Sequence, residues 1–201
     1  MRIYLLRHGE TDWNVARKIQ GHTDIALNSN GVRQARTWQP YFDRIRLAGV
    51  YSSSLTRAMD TALLASRRAP CIVDRLNERH YGDWEGHRWD DLAGQDSDFD
   101  RRWKLPHSAP PGGESRLQLQ VRVQVAMESI IASHEADSEI LIVAHGGSGK
   151  AVLGYANKMS LEVQAAIPAL RNAGVTILNG KGNRWIVEEE MAPRDTPVSN
   201  F

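Results

Sequence analysis

Two places in the chain set a histidine and then a glycine at the end of an apolar run. "IYLLRHGE" brings Arg7, His8 and Gly9 together, and "ILIVAHGG" ends in His145 and Gly146. Each run has the length and composition of a buried strand. Polar, potentially cationic side chains at the exit of such a strand are costly to bury unless an anion meets them. The glycine after each histidine lets backbone come close to a bound ligand. Arg57 extends the pattern, since it falls in the first turn of a helix expected over 55–68, where a cation opposes the helix dipole. That placement makes sense if helix amides, the hydroxyls of "YSSSLTR" and the guanidinium hold an anion together. The chemistry indicated is oxyanion binding beside two imidazoles.

Strands and helices alternate around these residues. Strands are expected over 2–7, 49–53, 70–76, 139–144, 174–179 and 184–190. Helices are expected over 29–42, opened by Ser29 or Asn30; over 55–68, capped by Ser53 or Ser54; over 114–136; and from about 148. Such alternation predicts an α/β fold, a three-layer α/β/α sandwich around a mainly parallel sheet. Ligands gather at the carboxyl ends of strands in such sheets, where both histidines fall. Residues 1–190 are expected to form one domain, with an irregular cap at about 77–114 and a polar tail over 191–201. The last strand, with Trp185, offers an edge through which two copies could pair as a homodimer.

Five segments, "LLRHGETDWN", "YSSSLTRAMDTA", "LNERHYGDWEG", "PPGGES" and "IVAHGG", occur in an order and spacing that resemble the histidine phosphatase superfamily, the phosphoglycerate mutase-like proteins. The likeness spans nearly the whole chain. It implies that His8 is a nucleophile that becomes phosphohistidine, with Arg7, Arg57 and His145 around the phosphate oxygens. It further implies that Asn14 donates to the substrate, that Gln20 contacts it, and that Glu78 protonates the leaving oxygen and then activates water. Gly9 and Gly146 would lie against the phosphate. No cofactor is implied. The physical chemistry is consistent: a histidine nucleophile must be neutral, and nearby guanidiniums disfavour its protonated form. Arginine forks can neutralise the equatorial oxygens of a transferring phosphoryl group in place of a metal.

The resemblance leaves three activities open: a phosphatase for a small phosphomonoester, a phosphoglycerate mutase, and a binding-only relative. Mutases typically read "HGN-S-x-R" after the second histidine, where this chain has Gly147 and Lys150, and they carry a longer insertion before it; both departures favour hydrolysis. "RRW" at 101–103 faintly resembles a mutase arginine pair, so Arg101, Arg102 and Lys104 are candidates for a second anionic group. Asp83 and Glu85 lie near enough to Glu78 to compete for its role, and Glu10 reads as a turn residue. His80 and His87 flank Glu78 and could line the pocket. The remaining histidines lack metal-ligand spacing, and Trp84, Trp89 and Trp103 read as cap packing. "AHGGSGKAV" fails both nucleotide-loop patterns, because Ala144, Ala151 and Val152 stand where glycine, a hydroxyl residue and glycine are needed.

Composition narrows the partners. A formal net charge of +1 provides no global attraction to nucleic acid or to an anionic membrane. The lone Cys71 suits a reducing compartment. No segment reads as a signal peptide or a membrane span, so the expectation is a cytoplasmic protein acting on a small phosphorylated metabolite.

Overall fold

The structure, a computed structural model, describes residues 1–181 and 184–193. The expected tail therefore falls outside the described residues from 194 onward. In chain order the elements begin with β1 (Arg2–Arg7), α1 (Asp12–Val15), α2 (Ser29–Arg36), α3 (Gln39–Phe42), β2 (Leu47–Ser52) and α4 (Thr56–Ser66). They continue with β3 (Cys71–Ile72), α5 (Trp89–Leu92), α6 (Ser97–Lys104), α7 (Arg116–Ala132) and β4 (Glu139–Ala144). The last are α8 (Gly146–Asn157), α9 (Leu161–Ala166), β5 (Val175–Lys181) and β6 (Arg184–Met191).

The strands form one sheet in the order β3-β2-β4-β1-β5-β6, parallel from β3 to β1 and antiparallel from there to β6. Strand alternation sends successive side chains to opposite faces. Ile3, Leu5, Ile140 and Ile142 pack on one side with Val123, Met127 and Val152 of α7 and α8. Tyr4, Leu6, Leu141 and Val143 pack on the other with Trp38, Phe42, Ala58 and Ala62. These two cores make the three layers. Each fully buried Leu, Ile or Val contributes roughly 1.5–3 kcal/mol, so the paired centre of β1 and β4 anchors the fold.

The expected helix over 29–42 is two helices, α2 and α3. Pro40 has no amide to donate and its ring clashes with the carbonyl four residues back, so the helix cannot continue through it. The cap of α2 is Asn28, whose side chain accepts from Gly31 N, rather than Ser29 or Asn30. Strand β3 is only two exposed residues, after which the chain turns through Asp74–Leu76 to bury Leu76. The irregular stretch 77–114 holds α5 and α6 around a third cluster. There Ile19, Trp84 and Phe99 pack with Tyr81, Trp89 and Trp103, which bears out the tryptophans as packing residues.

Candidate active site

The parallel pairing of β1 with β4 sets Arg7 opposite Ala144, so His8 and His145 leave the sheet side by side. Their ring centroids lie 5.0 Å apart, and both rings are buried. His8 Nδ1 lies 2.7 Å from Gly9 O. A carbonyl only accepts, so Nδ1 carries the proton and Nε2 keeps its lone pair. Burial, then the charges of Arg57 and Arg7, hold the His8 pKa well below the usual imidazole range. The neutral ring is thereby favoured, with Nε2 unprotonated.

His145 is placed by a serine that sequence reasoning assigned elsewhere. Ser53 Oγ accepts from Leu55 N at 3.3 Å and lies 2.7 Å from His145 Nε2. The hydroxyl keeps a second lone pair, so either group can donate in this contact. His145 Nδ1 is buried and has no hydrogen-bond partner. Neither Ser53 nor Ser54 caps α4. Ser54 bonds Asn77 Oδ1 at 2.9 and 3.1 Å, and Asp24 takes the capping task, accepting from Thr56 N at 2.9 Å and Thr56 Oγ1 at 2.6 Å.

Arg57 is buried and Arg7 half-buried. Arg57 donates to Thr23 O at 3.0 Å and Gly21 O at 2.8 Å, and Arg7 donates to Leu170 O. Each keeps a buried Nε without a partner. Burial lowers both pKa values from the arginine range, opposed by the charge of Glu78. Both guanidiniums line a cavity of about 280 Å³ together with His8, Asn14, Gln20, Glu78 and Gly146.

Among the described residues, Glu78 is the only one with a carboxylate on that lining. Its oxygens accept from Gly147 N at 2.9 Å, Ser148 N at 3.1 Å and Arg79 N at 2.7 Å, which sets it at the amino end of α8. Glu85 is not a rival: it accepts from Thr23 N at 2.7 Å, Thr23 Oγ1 at 2.6 Å, His22 N at 2.9 Å and Tyr81 N at 2.9 Å. Burial would raise its pKa, but these bonds win and hold it below the usual carboxylate range. Asp83 is exposed and off the lining.

Several expected residues do other work. Gly9 does not line the cavity; a Cβ there would stand 2.5 Å from Gly31 O, so its smallness serves backbone packing rather than a ligand. Gly146 does line it. His80 and His87 do not; His80 stacks on His22 with centroids 4.7 Å apart. Glu10 accepts from Asn28 Nδ2 at 3.0 Å and Asn30 Nδ2 at 3.1 Å, a turn residue as expected. Gln20 Oε1 accepts from Thr11 Oγ1 at 3.1 Å, and Asn14 Oδ1 accepts from Asn172 Nδ2 at 3.2 Å.

Three supporting residues escaped the sequence reading. Thr61 Oγ1 accepts from Gly9 N at 3.0 Å while donating to Arg57 O at 2.6 Å. Asn172 also donates to His8 O at 3.1 Å. Arg122 donates to the carbonyls of Arg75 and Asn77 at 2.8 Å and of Glu78 at 2.7 Å, while paired with Glu114. Only the helical spacing of Thr61 from Arg57 could have signalled any of them. Among the described residues, no helix is long and apolar enough to cross a membrane, and no cluster of three His, Cys, Asp or Glu side chains could hold a metal.

The α/β/α sandwich carries one imidazole, two guanidiniums and one carboxylate on a cavity at the strand ends, with the ring of His145 behind that of His8 at 5.0 Å and itself off the lining, and this set defines a class of phosphoryl-transfer proteins. The profile of the histidine phosphatase superfamily (branch 1) matches residues 3–191, and the chain belongs to that family. It is 33% identical over 196 residues to a metal-independent phosphoserine phosphatase of Arabidopsis thaliana, covering 92% of this chain and 79% of that one. A probable phosphoglycerate mutase of Proteus mirabilis is 32% identical, covering 92% and 88%. The solved structure of a mycobacterial glucosyl-3-phosphoglycerate phosphatase superimposes with a TM-score of 0.84 at 30% identity, covering 93% and 96%.

Proposed function

We propose that this enzyme hydrolyses small phosphomonoesters without a metal, through a phosphohistidine on His8. The observation that carries the reading is a neutral His8, proton on Nδ1 and Nε2 free, buried between the charges of Arg7 and Arg57. In the first step the Nε2 lone pair attacks phosphorus as the ester P–O bond breaks. The leaving oxygen takes a proton from Glu78. Arg7, Arg57 and His145 hold the three equatorial oxygens, where most of the transition-state charge lies. Asn14, Gln20 and the Gly146 backbone complete the contacts to substrate. In the second step Glu78 takes a proton from water, water oxygen bonds to phosphorus, and the P–N bond returns its electrons to Nε2. The segment 77–114 covers this site as a cap on the single domain of residues 1–190. A small phosphorylated metabolite of the cytoplasm suits the cavity's size and the lone, exposed Cys71.

The test is hydrolysis of p-nitrophenyl phosphate by chelator-treated enzyme, with acid-labile, alkali-stable phosphate trapped on the protein. His8→Ala is expected to lose both. Full activity in that variant would end the nucleophile assignment. The mutase alternative predicts rapid formation of 2-phosphoglycerate from 3-phosphoglycerate primed with 2,3-bisphosphoglycerate, followed by NMR; the expected outcome is release of inorganic phosphate instead.

A further inference from the structure

Among the described residues, six cationic side chains and one carboxylate line the cavity, whereas a phosphomonoester brings at most two negative charges. Arg7 and Arg57 meet that need, for theirs are the positive charges that His8 feels. Arg79 is occupied, donating to Glu114 O at 2.8 Å and Ser108 O at 3.2 Å. Lys18 lies over the Trp13 ring and Arg116 over the Trp103 ring, each 5.5 Å from the centroid. Of the remaining cations, Arg116 and Lys150 are the two whose charges act on each other.

Both are partly buried on the cavity wall, and among the described residues neither has a hydrogen bond or an ion pair. Lys150 stands four residues along α8 from Gly146, one helical turn or about 6 Å beyond the helix start. Lys150 loses basicity through burial first, then through the charge of Arg116, so the two cations are neighbours. Partial burial likewise lowers Arg116. Arg116 is also the first residue of α7, where a cation opposes the dipole. Neither the helix nor the packing requires a positive charge at either position. Glu78 offsets part of the charge on Lys150 and Arg7 adds to the repulsion; a pair of like charges partly buried in a cavity is costly, and a ligand anion would relieve it.

The arginines expected to reach a second anion do not. Arg101 and Arg102 both pair with Asp98 along α6, each at 2.5 Å, and Arg102 also donates to Ala109 O at 3.0 Å. Neither lines the cavity, and Lys104 is exposed.

We propose that Arg116 and Lys150 form a second anion subsite, so the preferred substrate is a phosphomonoester bearing another oxyanion a short distance from the phosphoryl group. This rests on the phosphatase reading above. Two sources supply that chemistry, a carboxylate or a second phosphate. The pair 3-phosphoglycerate and glycerol 3-phosphate tests the first; 1,3-propanediol bisphosphate and 3-hydroxypropyl phosphate test the second. The wild type should prefer the doubly anionic member of at least one pair by tenfold or more in kcat/KM. Arg116→Gln and Lys150→Met should each cut that preference by roughly tenfold, chiefly through KM of the doubly anionic member, and Arg116→Lys should keep most of it. Equal kcat/KM within both pairs, which needs no variant to fold, would overturn the subsite; so would a preference that survives both neutral substitutions. Hydrolysis of p-nitrophenyl phosphate separates the two readings: an inert wild type sinks the phosphatase, whereas an active but indifferent one sinks only the subsite.

Discussion

His8 and His145 are buried imidazoles surrounded by positive charge, and this has consequences for stability as well as chemistry. Both have pKa values held well below the usual imidazole value of 6.5, by burial first and then by neighbouring cations. Below that value the unfolded chain gains protons that the folded chain refuses. Their contribution is therefore fully present above pH 6.5 and is lost as the pH falls, by up to about 1.4 kcal/mol per pH unit for each ring. Urea midpoints in phosphate-free buffer should fall between pH 7 and 5.5, less steeply in His8→Asn; an unchanged slope would contradict the burial argument. Glu78 gives a kinetic prediction at the same scale. Glu78→Gln should slow alkyl phosphates by roughly 10²–10⁴ and p-nitrophenyl phosphate far less, because nitrophenolate leaves without a proton. Equal losses on both substrates would remove Glu78 from the acid role.

Among the elements, α7 positions the loop that carries Glu78. Arg122 on this helix holds the carbonyls of Arg75, Asn77 and Glu78 on that loop's approach, and pairs with a mostly buried Glu114. Removing one partner of such a pair strands the other, at a cost of about 3–5 kcal/mol. Arg122→Met should therefore lower the unfolding midpoint. If it acts by positioning Glu78, its rate loss should follow the leaving-group dependence of Glu78→Gln, with partial recovery in Arg122→Lys. A rate loss that ignores the leaving group would assign Arg122 to stability alone. The serine-rich turn before α4 makes a related point. Its hydroxyls go to His145 and Asn77, and the helix start is handed to Asp24 from a distant loop.

For the molecule as a whole, the near-neutral net charge conceals a cavity lined by six cations against one carboxylate. The folded state carries that repulsion until an anion enters. Inorganic phosphate at a hundred times its Kd should stabilise the protein by about 2.7 kcal/mol, a rise in Tm of roughly 5–10 °C for a chain of this length. Sulfate should act similarly and chloride weakly; an unmoved Tm in saturating phosphate would mean the cavity does not hold an anion. Arg57→Met should abolish most of the shift, since Arg57 is one of the two cations beside His8.

The apolar runs at 3–6 and 140–143, the alternation of strand and helix, and the histidines at two strand ends were legible because each depends on neighbours in sequence. So was the convergence of His8 with His145, since parallel strands in register deliver their next residues to one place. The helix break at Pro40 was legible in principle, as the ring's lost amide is a local fact. By contrast, the diversion of Ser53 from cap to His145, the clamp made by Arg122, and the choice of Arg116 and Lys150 over Arg101 and Arg102 as cavity cations were decided only by tertiary structure. Each turns on which of several chemically equivalent side chains faces a distant segment. Periodicity and propensity carry no information about that, because the energies that choose arise only when the segments pack.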